Sequence, residues 1–372
     1  MQTGFRSGLE GVIVAETVLS DVNGEQGRLV IRGHLVEEIA GSRSFEAVVG
    51  HLWEGFVPGN PSEEAIQKAL GEARELAWKR MLPLLGAIES LQPVEALRLM
   101  LSALSDSDAI PPHVLATGAM PVFVAGISRH QSGRSPVPPN RTYGQAQDLL
   151  RMIHGEQPSP ERVRALDMYL VTVSDHALNA STFAARVIAS TRAGIISSVI
   201  GGLCALKGPL HGGAPGPVLE MLDAIGTVEN AEPWLAAALD REERLMGFGH
   251  RIYRVRDPRA DVLKLATWLL RTEDNRIRFA EQVEKIAVRL LAKRKPGRKL
   301  DTNVEFYTAL LLDALGFHRN LFTPLFACGR VAGWTAHAME QELTNRLMRP
   351  ASHYVGPVPE FAGTPAAASA TA

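Results

Sequence analysis

Apolar residues recur at intervals of three and four over most of this 372-residue chain, and this spacing is what most restricts its fold. Between Ala65 and Ala77, for example, the spacing places one face of a helix in the core. Ser62 precedes that run as a helix N-cap. The best strand signal lies at 12–33, near the N-terminus. We therefore predict an all-α protein with a small N-terminal β-hairpin.

The predicted hairpin joins Val12–Val14 to Leu29–Ile31 across a turn-rich centre that contains Asn23-Gly24. Beyond it, the longest alanine-rich apolar segment runs from Glu161 to Thr191 and indicates a helix. Further helices are predicted at 217–225, 231–245, 258–271, 275–294, 304–315 and 322–346.

The composition is that of an ordinary soluble globular protein, with 46% hydrophobic and 21% charged residues. A net charge of −1 provides no global basic field, which argues against nucleic acid as the main partner. The most apolar stretch is too short to span a bilayer, and the N-terminus lacks the arrangement of a signal peptide. We expect a cytoplasmic protein with no membrane partner.

Motifs for several other chemistries are absent from the sequence. There is no phosphate-binding P-loop, nucleophile elbow, H-E-x-x-H pair or nucleotide fingerprint. Cys204 and Cys328, the only cysteines, lie in apolar stretches and are expected to be buried thiols. Two thiols alone cannot form a structural zinc site. The sequence therefore predicts no metal and no cofactor.

Two histidines lie within glycine-rich junctions, at Lys207–Gly213 and Met246–Arg251. His211 stands just before a predicted helix start, where the positive end of the dipole disfavours an imidazolium. A neutral histidine there can donate a hydrogen bond to a developing oxyanion, although it can equally well only complete a tight turn. His250 precedes a cationic stretch that suits a substrate with several carboxylates or phosphates, with a solvated basic surface as the alternative.

Glu305 follows three N-cap candidates and lies in the first turn of an apolar helix. The dipole would stabilise its carboxylate while burial would destabilise it, and these opposed effects can produce a base. A glutamate that only stabilises its own helix is the simpler alternative. Ser174–Thr182 concentrates polar side chains, including His176 and Asn179, within an apolar region. This cluster is either a rigid hydrogen-bonded network or a site.

In combination, four segments strongly resemble the citrate synthase family in their order and spacing. They are Asp175–Thr182, Gly208–Gly213, Gly247–Tyr253 with Asp257-Pro258-Arg259, and Asn303–Tyr307. The resemblance, which runs from Gly8 to about Gly356, implies a citrate synthase-like homodimer of two-domain helical subunits. A large domain would comprise 1–212 and 316–356, and a small domain 213–315. Composition indicates that the tail, 357–372, is disordered.

The resemblance also implies a reaction, the citrate-forming step of the tricarboxylic acid cycle. Glu305 would take a proton from the methyl group of acetyl-CoA while His211 donates a hydrogen bond to the thioester oxygen. His250 would polarise the ketone of oxaloacetate, and hydrolysis of citryl-CoA would release citrate and CoA. The implied oxaloacetate ligands are His176, Arg259, Arg330 and, from the other subunit, Arg349. The implied CoA ligands are Arg254 and Asn303.

Glu305 departs from the family pattern, in which the base is usually aspartate in an N-V-D-F-Y motif. The extra methylene would move the carboxylate by roughly 1.5 Å, and a misplacement on that scale can cost about 100-fold in rate. Either the site is set back to compensate, or the acyl substrate differs, or turnover is slow. Citrate synthase is the leading interpretation. A 2-methylcitrate synthase using propionyl-CoA shares all of these motifs, and a catalytically weak paralogue with a binding or regulatory role is the third possibility.

Overall fold

Helices form nearly all of the regular structure in the computed structural model, which describes residues 8–9, 11–211, 215–249, 253, 255–270, 275–297 and 300–357. In chain order they are α1 (Val36–Ile39), α2 (Phe45–Trp53), α3 (Glu63–Met81), α4 (Pro93–Leu101), α5 (Pro112–Gln131), α6 (Gln145–His154), α7 (Pro160–Val173), α8 (Ala180–Ala189), α9 (Ile195–Leu206), α10 (Pro215–Ile225), α11 (Val228–Asp240), α12 (Pro258–Trp268), α13 (Asn275–Arg294), α14 (Val304–Ala314) and α15 (Phe322–Thr344). Short 3₁₀ helices occupy Leu82–Ile88 and Arg319–Leu321. The all-α prediction is confirmed.

A small antiparallel sheet precedes the helices. Its strands lie in the order β1 (Ser20–Asn23), β2 (Arg28–Ile31) and β3 (His34–Leu35). Asn23 pairs with Arg28, so residues 24–27 form the hairpin turn. The hairpin was therefore predicted correctly, but its first strand was wrong. A short turn pairs the residues next to it, whereas Val12–Val14 lies far before the turn and Ile13 is 89% exposed.

The apolar segment predicted as one helix at Glu161–Thr191 is interrupted, and α7 and α8 are separated by a polar turn at 174–179. Asn179 is the N-cap of α8, where its side chain accepts two backbone hydrogen bonds. Ala177 within the turn has φ 48°, in the left-handed region. Side chains that bond their own backbone compete with helix continuation. The other predicted helices agree with the structure to within a few residues at their ends.

The core is continuous and centres on α15, which packs against α5, α7, α8 and α9. The helices from α10 to α14 pack mostly on one another, while α12 also contacts α7. This contact brings the chain segment after the second glycine junction against the helix that precedes the polar turn. The division into 1–212 with 316–356 and 213–315 stays a prediction.

Both cysteines are free thiols. Cys328 is fully buried as predicted, whereas Cys204 is only half-buried. Within the described ranges, no helix combines the length and the apolar character that a bilayer crossing requires.

Candidate active site

Residues predicted from separate motifs meet around one cavity of about 360 Å³. The predicted residues that line it are His176, His211, Arg259, Asn303, Glu305 and Arg330. They come from the turn before α8, the segment after α9, and the helices α12, α14 and α15. His250 and Arg254 lie outside the described residues. Arg349 is exposed and does not belong to the lining.

The N-terminus of α14, which carries Glu305, is fixed by hydrogen bonds to the second glycine-rich junction. Asn303 is its N-cap: Oδ1 accepts from Glu305 N at 3.0 Å, and Nδ2 donates to Gly249 O at 2.7 Å. The backbones pair as well, with Asn303 N 2.9 Å from Gly247 O and Gly249 N 2.8 Å from Asp301 O. The junction and the start of α14 therefore form one hydrogen-bonded unit.

Glu305 has the electrostatic properties of a general base. Burial raises the pKa of its carboxyl group to about 7. The guanidinium of Arg259 opposes this rise, the negative charge of Asp257 adds to it, and the positive charge of Arg244 also opposes it. A carboxylate with a pKa near 7 is about half ionised at neutral pH and basic enough to accept a proton from a weak acid.

His211 is neutral at physiological pH, because burial and the charge of Arg330 lower its pKa to about 4. Its Nε2 lies 2.9 Å from Ser181 Oγ. That hydroxyl accepts from Trp334 Nε1 at 3.1 Å, and its single proton can go either to His211 or to Asn179 Oδ1 at 2.7 Å. When Ser181 donates to Nε2, the ring proton is on Nδ1, where it is available to a ligand.

Two buried arginines and a histidine are among the residues that line the cavity. Arg259 is buried and bonds Asp257 twice, with Nε 3.0 Å from Oδ1 and a terminal nitrogen 2.8 Å from Oδ2. Arg330 is also buried, and burial lowers its pKa to about 10, so it remains a cation at neutral pH. His176 Nε2 lies 3.1 Å from the hydroxyl of Tyr253. Buried guanidiniums of this kind suit a small ligand with two carboxylates.

Asp257 connects the helices of Arg259 and Glu305. It is the N-cap of α12, and its Oδ1 accepts from Arg259 N at 3.1 Å. Its Oδ2 accepts from Val304 N, the first residue of α14, at 3.3 Å. One carboxylate therefore fixes the relative positions of the Arg259 guanidinium and the candidate base.

Sequence analysis missed Arg244, which lines the cavity and influences the pKa of Glu305. It stands in a run of charged residues of both signs, 241–244, that matches no motif and is typical of a solvated surface. Its place a few residues before the glycine junction at 247 was the only available signal.

Comparisons with known proteins extend over nearly the whole chain. A family model described as "Citrate synthase, C-terminal domain" matches residues 8–351. The "Citrate synthase 2" of Bacillus subtilis is 36% identical over 361 residues, which cover 94% of this chain and 95% of that protein. A 2-methylcitrate synthase of Mycobacterium tuberculosis is 36% identical over 365 residues, which cover 95% of this chain and 91% of that protein. The fold is also similar to a solved citrate synthase from Thermoplasma acidophilum, in a ternary complex with carboxymethyl coenzyme A and oxaloacetate. The TM-score is 0.83 and the identity 28%, and the match covers 96% of this chain and 98% of that one.

Proposed function

This chain belongs to the citrate synthase family, and from that membership we infer that it condenses acetyl-CoA with oxaloacetate and releases citrate and CoA. It is thus an enzyme of the acyltransferase type. The observation that carries the proposal is the meeting of Glu305, His211, Arg259 and Arg330 around one cavity. A base with a pKa near 7, a neutral imidazole donor and buried cations are the groups that this condensation requires.

The first step is removal of a proton from the methyl group of acetyl-CoA by Glu305. The C–H electron pair becomes the C=C bond of an enolate, and negative charge moves onto the thioester oxygen. His211 donates a hydrogen bond to that oxygen from its neutral ring. Ser181, 2.9 Å from Nε2, holds the ring in place, and when its hydroxyl donates to Nε2 the ring proton is on Nδ1. A donor fixed before the charge develops stabilises the transition state without reorganisation.

Oxaloacetate binds between Arg259 and Arg330, with His176 as a further ligand. Burial lowers the pKa of Arg330 and the positive charge of Arg259 lowers it further, so the two guanidiniums repel one another. A dicarboxylate relieves this repulsion as it binds, and its two ends are recognised by separate cations. Arg349 of a second subunit completes the set in the proposed homodimer.

The enolate carbon then attacks the ketone carbon of oxaloacetate and forms the new C–C bond. The ketone oxygen takes up the displaced electron pair and a proton, and His250, which lies outside the described residues, is the proposed donor. Water attacks the thioester carbonyl of the citryl-CoA product, the C–S bond breaks, and CoA leaves as the thiol. For the CoA portion we propose Asn303 and Arg254 as ligands, the latter also outside the described residues.

The chain's own acid, base and cationic groups supply every step, so we propose that the enzyme needs no metal or other cofactor. Dialysis against a chelator should leave the rate of CoA release unchanged, and a loss that added Mg²⁺ or Zn²⁺ restores would refute this. We also propose a cytoplasmic location for the enzyme.

Release of the CoA thiol, measured with acetyl-CoA and with propionyl-CoA in the presence of oxaloacetate, tests the proposal. We expect acetyl-CoA to be preferred. A preference for propionyl-CoA would favour a 2-methylcitrate synthase, since one methylene changes selectivity by only ~1–3 kcal/mol. Absence of thiol release with both would reject the enzymatic function in favour of a binding or regulatory role.

The variant Glu305→Gln tests the base. Loss of a positioned general base should lower kcat by about 100-fold or more while the KM for oxaloacetate changes little. Glu229→Gln is a matched control, because Glu229 is an exposed glutamate in the first turn of α11. Near-full activity in Glu305→Gln would show that another group takes the proton.

A further inference from the structure

One hydroxyl of the N-terminal hairpin contacts both neighbours of His176. Ser20, the first residue of β1, donates a hydrogen bond to Oδ2 of Asp175 and accepts one from Ala177 N at 2.8 Å. Ala177 has φ 48°, which is uncommon for a residue with a Cβ atom. Such a backbone conformation persists where the surrounding structure imposes it. The hairpin is part of that surrounding structure.

Asp175 is held from its other side by a buried histidine, His337. The guanidinium of Arg186, fixed by Glu340, lies 3.0 Å from His337 Nδ1. Because a guanidinium can only donate, Nδ1 must accept, and the proton of the neutral ring is on Nε2. That nitrogen donates to Asp175 Oδ2 at 3.2 Å. The same carboxylate oxygen therefore receives one bond from α15 and one from Ser20.

The backbone of this turn also bonds α15. Val173 O accepts from Arg330 Nε at 2.7 Å, and Ser174 O accepts from Gly333 N at 3.0 Å. Consecutive residues at 173–175 are therefore fixed by α15, whereas Ala177, which follows His176, is bonded through its N–H by the hairpin. Removal of Ser20 would release the side of the turn that α15 does not hold.

The hairpin also contacts the segment that precedes α12. A Cβ atom on Gly27, in the hairpin turn, would be 2.7 Å from Val255 Cγ2 and 2.9 Å from Arg256 O. These two residues immediately precede Asp257, which binds Arg259. The hairpin therefore contacts the segments that carry His176 and Arg259, two of the proposed oxaloacetate ligands.

We propose that Ser20 is a positioning residue for His176, so that the N-terminal hairpin sets the place of that imidazole in the oxaloacetate site. Ser20 does not line the cavity and acts only through the two residues that flank the histidine. This inference rests on the proposed function, because it takes His176 as an oxaloacetate ligand.

Ser20→Ala removes both hydrogen bonds and leaves the backbone pairing of β1 with β2 intact. We expect the KM and the calorimetric Kd for oxaloacetate to rise by about tenfold, the effect of roughly one net hydrogen bond. The KM for acetyl-CoA and the thermal midpoint should change little. Ser20→Thr keeps the hydroxyl and should restore oxaloacetate affinity. Asp21→Ala is the matched control, since Asp21 is the next residue of β1 and pairs with Arg28 at the surface.

A double-mutant cycle separates positioning from a general structural effect. His176→Asn should weaken oxaloacetate binding by itself, and Ser20→Ala added to it should weaken binding no further, because the two act through one ligand. If the increases in Kd from the two substitutions multiplied in the double variant, the inference would be overturned. If the Kd for oxaloacetate were unchanged in Ser20→Ala but raised in His176→Asn, the inference about Ser20 would be overturned. The proposed function would still stand. An unchanged Kd in His176→Asn would reject the role of that histidine in the proposed function, and the inference with it.

Discussion

Burial of Glu305 places its titration within the physiological pH range. Its pKa is raised to about 7, and the carboxylate must be ionised to accept a proton. The value of kcat/KM for acetyl-CoA should therefore fall about tenfold per pH unit below pH 7 and level off above it. A profile recorded between about pH 5.5 and 8.5 checks this. A rate that stays constant down to the lower limit would mean that the base has an ordinary carboxyl pKa.

Arg244 is expected to tune that titration. Its positive charge lowers the pKa of Glu305, so Arg244→Gln should move the acid limb of the same profile to higher pH. Arg241→Gln is the matched control, because Arg241 belongs to the same charged run but pairs with Glu243 at the surface. If both substitutions moved the limb equally, the effect would be one of net charge, and if neither did, the influence of Arg244 would be screened by solvent.

At the scale of elements, the pairing of the glycine junction with the start of α14 determines where Glu305 lies. Gly247 has φ 85°, and a Cβ atom there would be 2.9 Å from Phe306 Cβ. Gly247→Ala combines backbone strain with this overlap and should destabilise the fold by about 1–3 kcal/mol. It should also lower kcat, because displacement of the base by an ångström can cost about 100-fold.

Gly59→Ala separates the two causes. Gly59 has φ 82° but no atom within 4 Å of the added Cβ, so only the backbone term remains. Its thermal midpoint should fall by less than that of Gly247→Ala, and its kcat should match the unsubstituted enzyme. Equal losses of kcat in the two variants would show that strain alone, and not the contact with α14, controls the site.

Helical periodicity predicted most elements, because the spacing of apolar residues in the local sequence shows which face of a helix is buried. The break at 174–179 could not be predicted in this way. Alanine-rich sequence favours continuation of the helix, and part of what holds the turn is distant in sequence, since Ser20 and His337 both bond Asp175. The first strand was misplaced for a related reason. The turn at 24–27 pairs the residues next to it, 20–23 with 28–31, and leaves the more apolar run at 12–14 unpaired with β2.

Motifs predicted a large part of the candidate site, because the order of short segments identifies residues that meet across the fold. The motifs identified His176, His211, Arg259 and Glu305, and the fold places all four around one cavity. Arg244 belongs to no motif, and its role depends on proximity to a charge 61 positions away (305 − 244). Long-range electrostatic coupling of this kind has no signature in a single sequence.

At the scale of the whole molecule, one predicted ligand, Arg349, does not line the cavity of its own chain. Arg349 is exposed and follows α15 on a segment that also exposes apolar side chains. The strongly exposed members of this region are Leu343, Leu347, Tyr354 and Val355. Several exposed apolar side chains on one short segment suit an interaction surface. Both features fit the proposed homodimer, in which Arg349 would reach the site of the partner subunit.

Hybrid dimers test whether Arg349 acts across that interface. Arg349→Gln and Glu305→Gln should each be nearly inactive as homodimers. In a hybrid of the two, one site combines the intact Glu305 of the first subunit with the intact Arg349 of the second, and it should be active. Subunits can be mixed at random by joint unfolding and refolding or by coexpression. Half of the dimers are then hybrids, and one of the two sites in each hybrid works, so about a quarter of the wild-type activity should be recovered.

The same mixture would remain inactive if Arg349 served its own chain, since each hybrid site would then carry one of the two lesions. A matched mixture of Glu305→Gln with His211→Gln sets the background, because both of these residues line the cavity of one chain and cannot complement one another. Recovery above that background requires subunits in contact, so it would establish the homodimer and the origin of the third arginine together. Recovery equal to the background would place Arg349 outside the partner's site.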